Sequence, residues 1–173
     1  MTINFPLPLS FKAKRLERNN NIFSLTCRAT LLTEKPLGTT PGTNLGINGL
    51  RTQGKYLYFT NSAQGIFGRV PINKKGEKTG AIEILATRPE GLVYDDIAID
   101  GKKIWIATHP SQAVRVNPDG SQTVIQHDRL LLNPTSAAFG RGGKKERKTV
   151  YITNGGEFSG ADLINSGVVA IDT

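Results

Sequence analysis

Two stretches of the chain, Tyr94-Asp95-Asp96-Ile97-Ala98-Ile99-Asp100-Gly101 and Ile104-Trp105-Ile106-Ala107-Thr108-His109, decide the fold. Both have the residue composition of short β-strands, and the Asp-Gly pair between them is typical of a tight turn. The same strand–turn–strand unit occurs around Tyr58 and again around Tyr151. The aromatic residues Tyr58, Trp105 and Tyr151 are separated by 47 and 46 residues. We expect all three to lie in the core.

A repeat of this period, filled with short strands, is typical of the blades of a β-propeller. The sequence therefore predicts an all-β chain of four-stranded antiparallel sheets, amounting to about three blades of a six-bladed propeller, with the last blade lacking its fourth strand. The predicted segments are a disordered or non-native tail over residues 1–21 and a half propeller over residues 22–173, made of a stray outer strand at about 28–33 and blades at about 46–86, 93–127 and 134–173.

Composition supports a single globular domain. The chain has 173 residues, 38% of them hydrophobic and 21% charged, and its 19 glycines and nine prolines favour turns over helices. The single cysteine, Cys27, excludes an intramolecular disulfide framework. The sequence shows no secretion signal and no permitted N-glycosylation site, which favours a cytoplasmic location.

The net charge of +8 comes from two short segments, residues 1–36 and residues 141–148, each of which carries +4. The first is a predicted tail and the second a predicted hairpin loop, so the charges do not form one basic face with interleaved aromatic residues. We therefore expect two solvated basic segments, a small-molecule substrate, and neither a nucleic acid nor a membrane as partner.

Polar residues recur where the first strand of each blade begins and the second strand ends, which is the same face of a propeller. These positions hold Asn48 and Asn61, Asp95 and His109, and Thr135 and Asn154. A ring of amide, carboxylate and hydroxyl oxygens is what a hard cation such as Ca²⁺ requires. Two of the residues also fit ordinary structural roles, because Asn48 precedes Gly49 as in many turns and His109 precedes Pro110 as in many loops.

The chain resembles the gluconolactonase, or senescence-marker (regucalcin-like), family of six-bladed β-propellers. Ile47-Asn48-Gly49-Leu50 before Leu57-Tyr58-Phe59-Thr60-Asn61-Ser62 is similar to the family's Asn-Gly-Leu…Tyr-Phe-Thr-Asp-Ser. The stretch 95–101 before Ile104-Trp105-Ile106-Ala107 is similar to its Asp-Gly-(Leu/Met)-x-(Val/Ile)-Asp…Leu-Trp-Val-Ala, and residues 134–140 before 149–153 are similar to its third signature. The match covers residues 44–173, the C-terminal half of the family's pattern. Asp96 stands where the family has Gly, and Asn61 where it has Asp.

The resemblance implies that Asn48 and Asp95 are ligands of a divalent cation, Ca²⁺ in the first instance, and that Asp95 is also the catalytic carboxylate. The other four rim positions, Asn61, His109, Thr135 and Asn154, are then expected to bind substrate. In the family a glutamate ligand comes from the N-terminal half, so the site is expected to be incomplete in this chain. Open blade faces would favour self-association.

Three functions remain open at this stage. The first is part of a metal-dependent hydrolase acting on a lactone or related ester. The second is a fungal biosynthetic propeller that catalyses a cyclisation of hetero-Diels–Alder type. The third is a non-enzymatic or inactive propeller fragment. Loss of activity on chelation would separate the first from the second, and the mass of the native assembly bears on the third.

Overall fold

The computed structural model describes residues 32, 34–127 and 129–173. From Glu34 to Thr173 these residues belong to one compact unit. The predicted tail over residues 1–21 lies outside the described residues, as does most of the predicted outer strand at 28–33. The described part contains three short 3₁₀ turns, at Lys35–Leu37, Arg129–Leu131 and Glu146–Lys148, and no helix that could span a membrane.

Two four-stranded antiparallel sheets come first in the chain, and each is built in sequence order from one strand to its neighbour. The first consists of β1 (Ile47–Gln53), β2 (Tyr56–Asn61), β3 (Ile66–Pro71) and β4 (Glu83–Thr87). The second consists of β5 (Val93–Asp100), β6 (Lys103–His109), β7 (Gln112–Val116) and β8 (Gln122–His127).

The third sheet has three strands and carries an inserted hairpin. Its strands are β9 (Pro134–Phe139), β10 (Thr149–Asn154) and β13 (Gly167–Asp172), with β10 in the middle. Between β10 and β13 the chain forms a separate two-stranded hairpin of β11 (Glu157–Ser159) and β12 (Asp162–Ile164). The all-β prediction and the repeated antiparallel sheets are confirmed, whereas the sequence pattern did not predict the hairpin.

The three sheets repeat in register as well as in order. Tyr58, Trp105 and Tyr151 each lie in the second strand and pair with Arg51, Ala98 and Ala138 of the first strand. The register then shifts near the start of each first strand, between Ile47 and Leu50, between Tyr94 and Ile97, and again beside Thr135. A bulge of this kind leaves a residue unpaired and re-aims its side chain. Asn48, Asp95 and Thr135 occupy these equivalent positions.

The apolar core lies between neighbouring sheets. Tyr58 and Phe67 of the first sheet pack with Tyr94, Ile97 and Ile106 of the second. On the other side of the second sheet, Trp105 packs in a cluster with Ala137, Val150 and Ile152 of the third. Burial of such side chains is worth roughly 1.5–3 kcal/mol each, so the contacts between sheets supply much of the stability.

Tyr151 does not share the burial of its two counterparts. Tyr58 and Trp105 are 7% and 2% exposed, but Tyr151 is 37% exposed. Its neighbours Val150 and Ile152 point toward the second sheet and are buried, so Tyr151 lies on the opposite face of the third sheet. No further sheet within the described residues covers that face. The prediction of a core position for Tyr151 is therefore wrong for the described part of the chain.

Candidate active site at the ends of the inner strands

The first strands of the three sheets are neighbours, with β5 between β1 and β9. The bulge residues of these strands therefore meet the ends of the second strands at one edge of the structure, which we call the rim. Asp95 and His109 form its only ion pair in the described part of the chain, with 2.9 Å between Asp95 Oδ2 and His109 Nε2. Their side chains are 15% and 29% exposed, so the pair is partly shielded from solvent.

The first sheet contains a neutral counterpart of this pair. Asn48 Nδ2 donates to Ser62 Oγ over 3.1 Å. Asn61 pairs with Ile47, whereas the residue that pairs with the equivalent Tyr94 is Thr108. His109 therefore corresponds to Ser62, one residue beyond Asn61, and the assumed equivalence of Asn61 and His109 is wrong by one residue. The same two positions thus hold an amide–hydroxyl pair in one sheet and a carboxylate–imidazole pair in the next.

His109 is held at both ring nitrogens. Besides its contact with Asp95, its Nδ1 lies 3.4 Å from Asn133 Oδ1. The hydrogen bond to Asp95 raises the pKa of His109 above its ordinary value, and this outweighs the opposite effect of burial. Because both neighbours present acceptor oxygens, the doubly protonated imidazolium satisfies both contacts. The shorter bond to Asp95 fixes the ring, and the longer contact leaves Nδ1–H the more available donor.

Asn133 was not among the predicted site residues. It has a positive φ of 51°, a conformation that asparagine adopts more readily than most residues. Its Nδ2 donates to the carbonyl of Gly156 over 2.7 Å, which leaves Oδ1 directed at the imidazole. Its backbone N–H donates to the carbonyl of Pro110, next to His109. These contacts make Asn133 a positioning residue for the imidazole.

The donors at the rim do not by themselves fit a Ca²⁺ site. Ca²⁺ takes six to eight oxygen ligands, whereas Asp95 and Asn48 offer one carboxylate and one amide. Asp95 Oδ2 is already bound to the imidazole of His109, and the raised pKa of His109 favours a positive charge there, which opposes a nearby cation. Within the described ranges, no group of three or more His, Cys, Asp or Glu side chains could hold a metal ion.

Asn61 and Asn154 occupy equivalent buried positions that fasten the linkers entering their sheets. Asn61 Nδ2 donates to the carbonyls of Pro36 and Gly38, and its Oδ1 accepts from the backbone of Gln64. Asn154 Nδ2 donates to the carbonyl of Leu130. Thr108, at the same position of the second sheet, bonds within its own strand to the carbonyl of Ile106. The two amides are therefore engaged in holding the scaffold.

Thr135 completes the row of bulge residues. It is exposed, and its Oγ1 lies 3.0 Å from Oγ1 of Thr153 on the adjacent strand. The structure thus brings Asn48, Asp95 and Thr135 to equivalent positions of adjacent inner strands. Asp95 alone of the three is bound to a titratable partner among the described residues.

A polar bridge that sequence reasoning missed joins the three inner strands behind the rim. Arg51 of β1 donates to Asp96 of β5 over 2.6 Å and to the carbonyl of Ala137 of β9 over 2.9 Å. The same oxygen of Asp96 accepts from Ser136 Oγ and from the backbone N–H of Ala137. Asp96 stands beside Asp95, so the bridge fixes the bulge that presents the candidate carboxylate.

Comparison with solved structures agrees with this architecture. A luciferin-regenerating enzyme superposes with a TM-score of 0.53 and 18% identity, over 72% of this chain and 44% of that one. Regucalcin from Agrobacterium tumefaciens, titled a calcium-binding protein, gives 0.52 and 21%, over 62% and 37%. A chain of a nidogen/laminin complex gives 0.51 and 21%, over 63% and 40%. The chain has the β-propeller fold. The resemblance to regucalcin-like propellers is therefore confirmed at the level of the fold.

One curated relative is similar in sequence to this propeller chain. It is "Putative hetero-Diels-Alderase asR5" of Sarocladium schorii, which is 29% identical over an alignment 128 residues long; the alignment covers 65% of this chain and 32% of the relative. The propeller chain thus spans about a third of the length of the curated relative it matches. No protein-family model matches the chain.

Proposed function

We propose that this chain provides part of a β-propeller enzyme that catalyses a cyclisation of hetero-Diels–Alder type on an oxygenated small molecule. The observation that carries the proposal is the row Asp95–His109–Asn133, in which a carboxylate binds one ring nitrogen of an imidazole and raises its pKa while an amide contacts the other ring nitrogen. The sequence similarity to the Sarocladium schorii protein supports the same reaction class.

The chemistry requires a positioned donor and no nucleophile. In an oxygen hetero-Diels–Alder reaction a C=C–C=O unit and an alkene form one C–C and one C–O bond, and no atom leaves. A hydrogen bond to the carbonyl oxygen withdraws electron density from the four-atom unit and lowers the barrier. The Nδ1–H of His109 makes only the long 3.4 Å contact with Asn133 Oδ1, so the substrate oxygen can take over this donor while the shorter bond at Nε2 fixes the ring.

Asp95 acts in this proposal through His109. It raises the pKa of His109, which favours the imidazolium form, and its hydrogen bond orients the ring. Donors placed in advance where charge develops typically contribute factors of 10²–10³ to a rate. Loss of the imidazole should therefore abolish most of the acceleration, and loss of the carboxylate charge should reduce it.

Lactone hydrolysis is the second candidate, because Asn48 and Asp95 lie at equivalent bulges of neighbouring inner strands. The family resemblance implies that these two residues are cation ligands. In hydrolysis Asp95 would accept the proton of an attacking water molecule. The cation ligands of such an enzyme would have to extend beyond the donors described above.

One set of assays separates the two reactions. The full chain is incubated with an electron-poor α,β-unsaturated ketone and ethyl vinyl ether, and the dihydropyran product is measured by chiral chromatography. In parallel, hydrolysis of δ-gluconolactone is followed by pH-stat in CaCl₂ and in EDTA. The variants are His109→Ala and Asp95→Asn, and Asp119→Asn, in an exposed turn, is the control.

We expect the cycloadduct to form with an enantiomeric excess that EDTA does not change and that disappears in His109→Ala. In Asp95→Asn the rate of cycloaddition should fall at least about tenfold. Asp119→Asn should behave as the unaltered chain does. Racemic product at the uncatalysed rate, or full activity in His109→Ala, would contradict the proposal. Calcium-dependent lactone hydrolysis that is lost in Asp95→Asn would instead support the second candidate.

A further inference from the structure

The inserted hairpin β11–β12 projects from the rim. It leaves the sheet after Asn154 and returns at Gly167, and these two residues are paired across β10 and β13. In register, Asn154 corresponds to Thr108, the residue before His109. The hairpin therefore extends the third sheet at the same end at which the second sheet presents its imidazole.

The base of the hairpin is bonded to the residue that orients His109. Gly156 donates to the carbonyl of Leu132 and accepts from Asn133 Nδ2, while Gly155 donates to the carbonyl of Asn133. Gly156 has a positive φ of 69°, and a Cβ there would lie 2.3 Å from the carbonyl oxygen of Ile164. Only glycine permits this close return of the second strand, so the hairpin has a fixed base two residues from Phe158.

One side of the hairpin is apolar and uncovered. Phe158 and Leu163 are paired directly across the two strands, so their side chains lie on the same side. They are 77% and 50% exposed and belong to neither of the two core clusters. A buried phenylalanine stabilises a fold, whereas an exposed one on a firmly based hairpin is available for binding.

We propose that this apolar side of β11–β12 binds the hydrocarbon part of the substrate whose oxygenated head lies at Asp95 and His109. The inference rests on the proposed function for the position of the head. Hydrogen bonds between Gly156 and Asn133 and between Asn133 and His109 join the base of the hairpin to the imidazole, and Phe158 lies two residues beyond that base. Because Asp95 and His109 compensate each other's charge, the head they suit is neutral and polar, and the substrate class is an apolar molecule with one carbonyl-bearing end.

The test measures how the affinity for a probe depends on the length of the probe's hydrocarbon tail. The probes are 3-penten-2-one, 3-hepten-2-one and 3-nonen-2-one, which share one enone head and lengthen by two methylene groups each. Dissociation constants are measured with the full chain by ligand-observed NMR. The variants are Phe158→Ser and Leu163→Ser, and Val124→Ser, at an exposed position of the outer strand β8, is the matched control.

Each methylene group that becomes buried should tighten binding by up to about fourfold. With the unaltered chain and with Val124→Ser, affinity should therefore rise from the shortest probe to the longest, which we call a rising series. Both hairpin variants should flatten the series, because they remove the apolar surface that the added methylene groups would contact. Asp95→Asn should weaken all three probes by a similar factor. A rising series in the absence of cycloaddition would refute the proposed reaction and leave the apolar site standing.

Two results would overturn the inference. One is a series that rises equally in Phe158→Ser, Leu163→Ser and Val124→Ser, which would mean that the hairpin does not contact the probe. The other is a series unchanged by Phe158→Ser together with a lower assembly mass in light scattering, which would assign the apolar side to a second copy of the chain. Because the side chains of Phe158 and Leu163 are exposed, both variants should keep the sheets, and circular dichroism of each variant checks this.

Discussion

Removing the carboxylate of Asp96 tests whether the bridge behind the rim holds the three inner strands together. Asp96→Ala deletes an acceptor that serves Arg51, Ser136 Oγ and the backbone N–H of Ala137. Hydrogen bonds to a charged group contribute about 1.5–3 kcal/mol each when buried. Asp96 is 11% exposed at its side chain but Arg51 is 36% exposed, so the contribution of the ion pair is discounted for solvent screening.

Together the three lost contacts should reduce the free energy of unfolding by about 3 kcal/mol. For a unit of this size that corresponds to a fall in Tm of roughly 10 °C. Asp96→Asn preserves an acceptor oxygen while removing the charge, so it should cost about half as much. Urea and thermal unfolding followed by circular dichroism measure both quantities.

Glu83→Ala is the matched control. Glu83 pairs with Arg69 over 2.7 Å between the two outer strands of the first sheet, with side chains 44% and 29% exposed. Such a surface pair contributes about 0–1 kcal/mol. Equal losses in Asp96→Ala and Glu83→Ala would refute the reasoning, because the bridge would then be no more than a surface ion pair.

Three other predictions concern the Asp95–His109 pair, the bulge at Gly49 and the uncovered face of the third sheet. The carboxylate of Asp95 raises the pKa of His109 in the folded state. The stabilisation from this pair should therefore be fully present below the pKa that His109 has in the unfolded state and be lost as pH rises through its pKa in the folded state. NMR titration should show a lower His109 pKa in Asp95→Asn. Gly49→Ala places a Cβ 2.8 Å from Cα of Asp96 and should cost about 1–3 kcal/mol in urea unfolding, whereas Gly38→Ala, with its nearest contact at 3.7 Å, should cost less. Val168 is 65% exposed on the uncovered face of the third sheet, so the chain should self-associate and Val168→Asp should lower the mass measured by light scattering; an unchanged mass would contradict this assignment.

The fold was predictable because its signals are local. The spacing of Tyr58, Trp105 and Tyr151 reports a repeated unit, and turn pairs such as Asp100-Gly101 separate its strands. The exposure of Tyr151 was not predictable from this pattern, because alternation places a side chain on one face of a strand but does not say whether another sheet covers that face. The hairpin left a weaker signal, a single glycine, Gly160, in the turn between two strands of only three residues each.

The site was predicted in part, for a reason that lies in the register. Asp95 and His109 were both identified, but their direct contact and its counterpart at Asn48 and Ser62 depend on the bulge. Counting from the aromatic markers would have revealed the offset, since Asn61 is three residues beyond Tyr58 and His109 is four beyond Trp105. Asn133 and the bridge could not be found in this way, because Arg51 and Asp96 are 45 residues apart and no local pattern joins them.

The repeat also indicates which positions are free to carry chemistry. The buried position at the end of each second strand holds Asn61, Thr108 and Asn154, and all three use their polar groups on nearby backbone carbonyls. The next residue differs in kind between the sheets, being Ser62, His109 and Gly155, and the bulge residue facing it differs as well. A scaffold that fixes one position and leaves its neighbour variable can acquire a reactive pair in a single blade without disturbing the others. Because the second sheet alone places a carboxylate against an imidazole at these positions within the described residues, the proposed cyclisation should depend on Asp95 and His109 far more than on Asn48, Ser62 or Thr135.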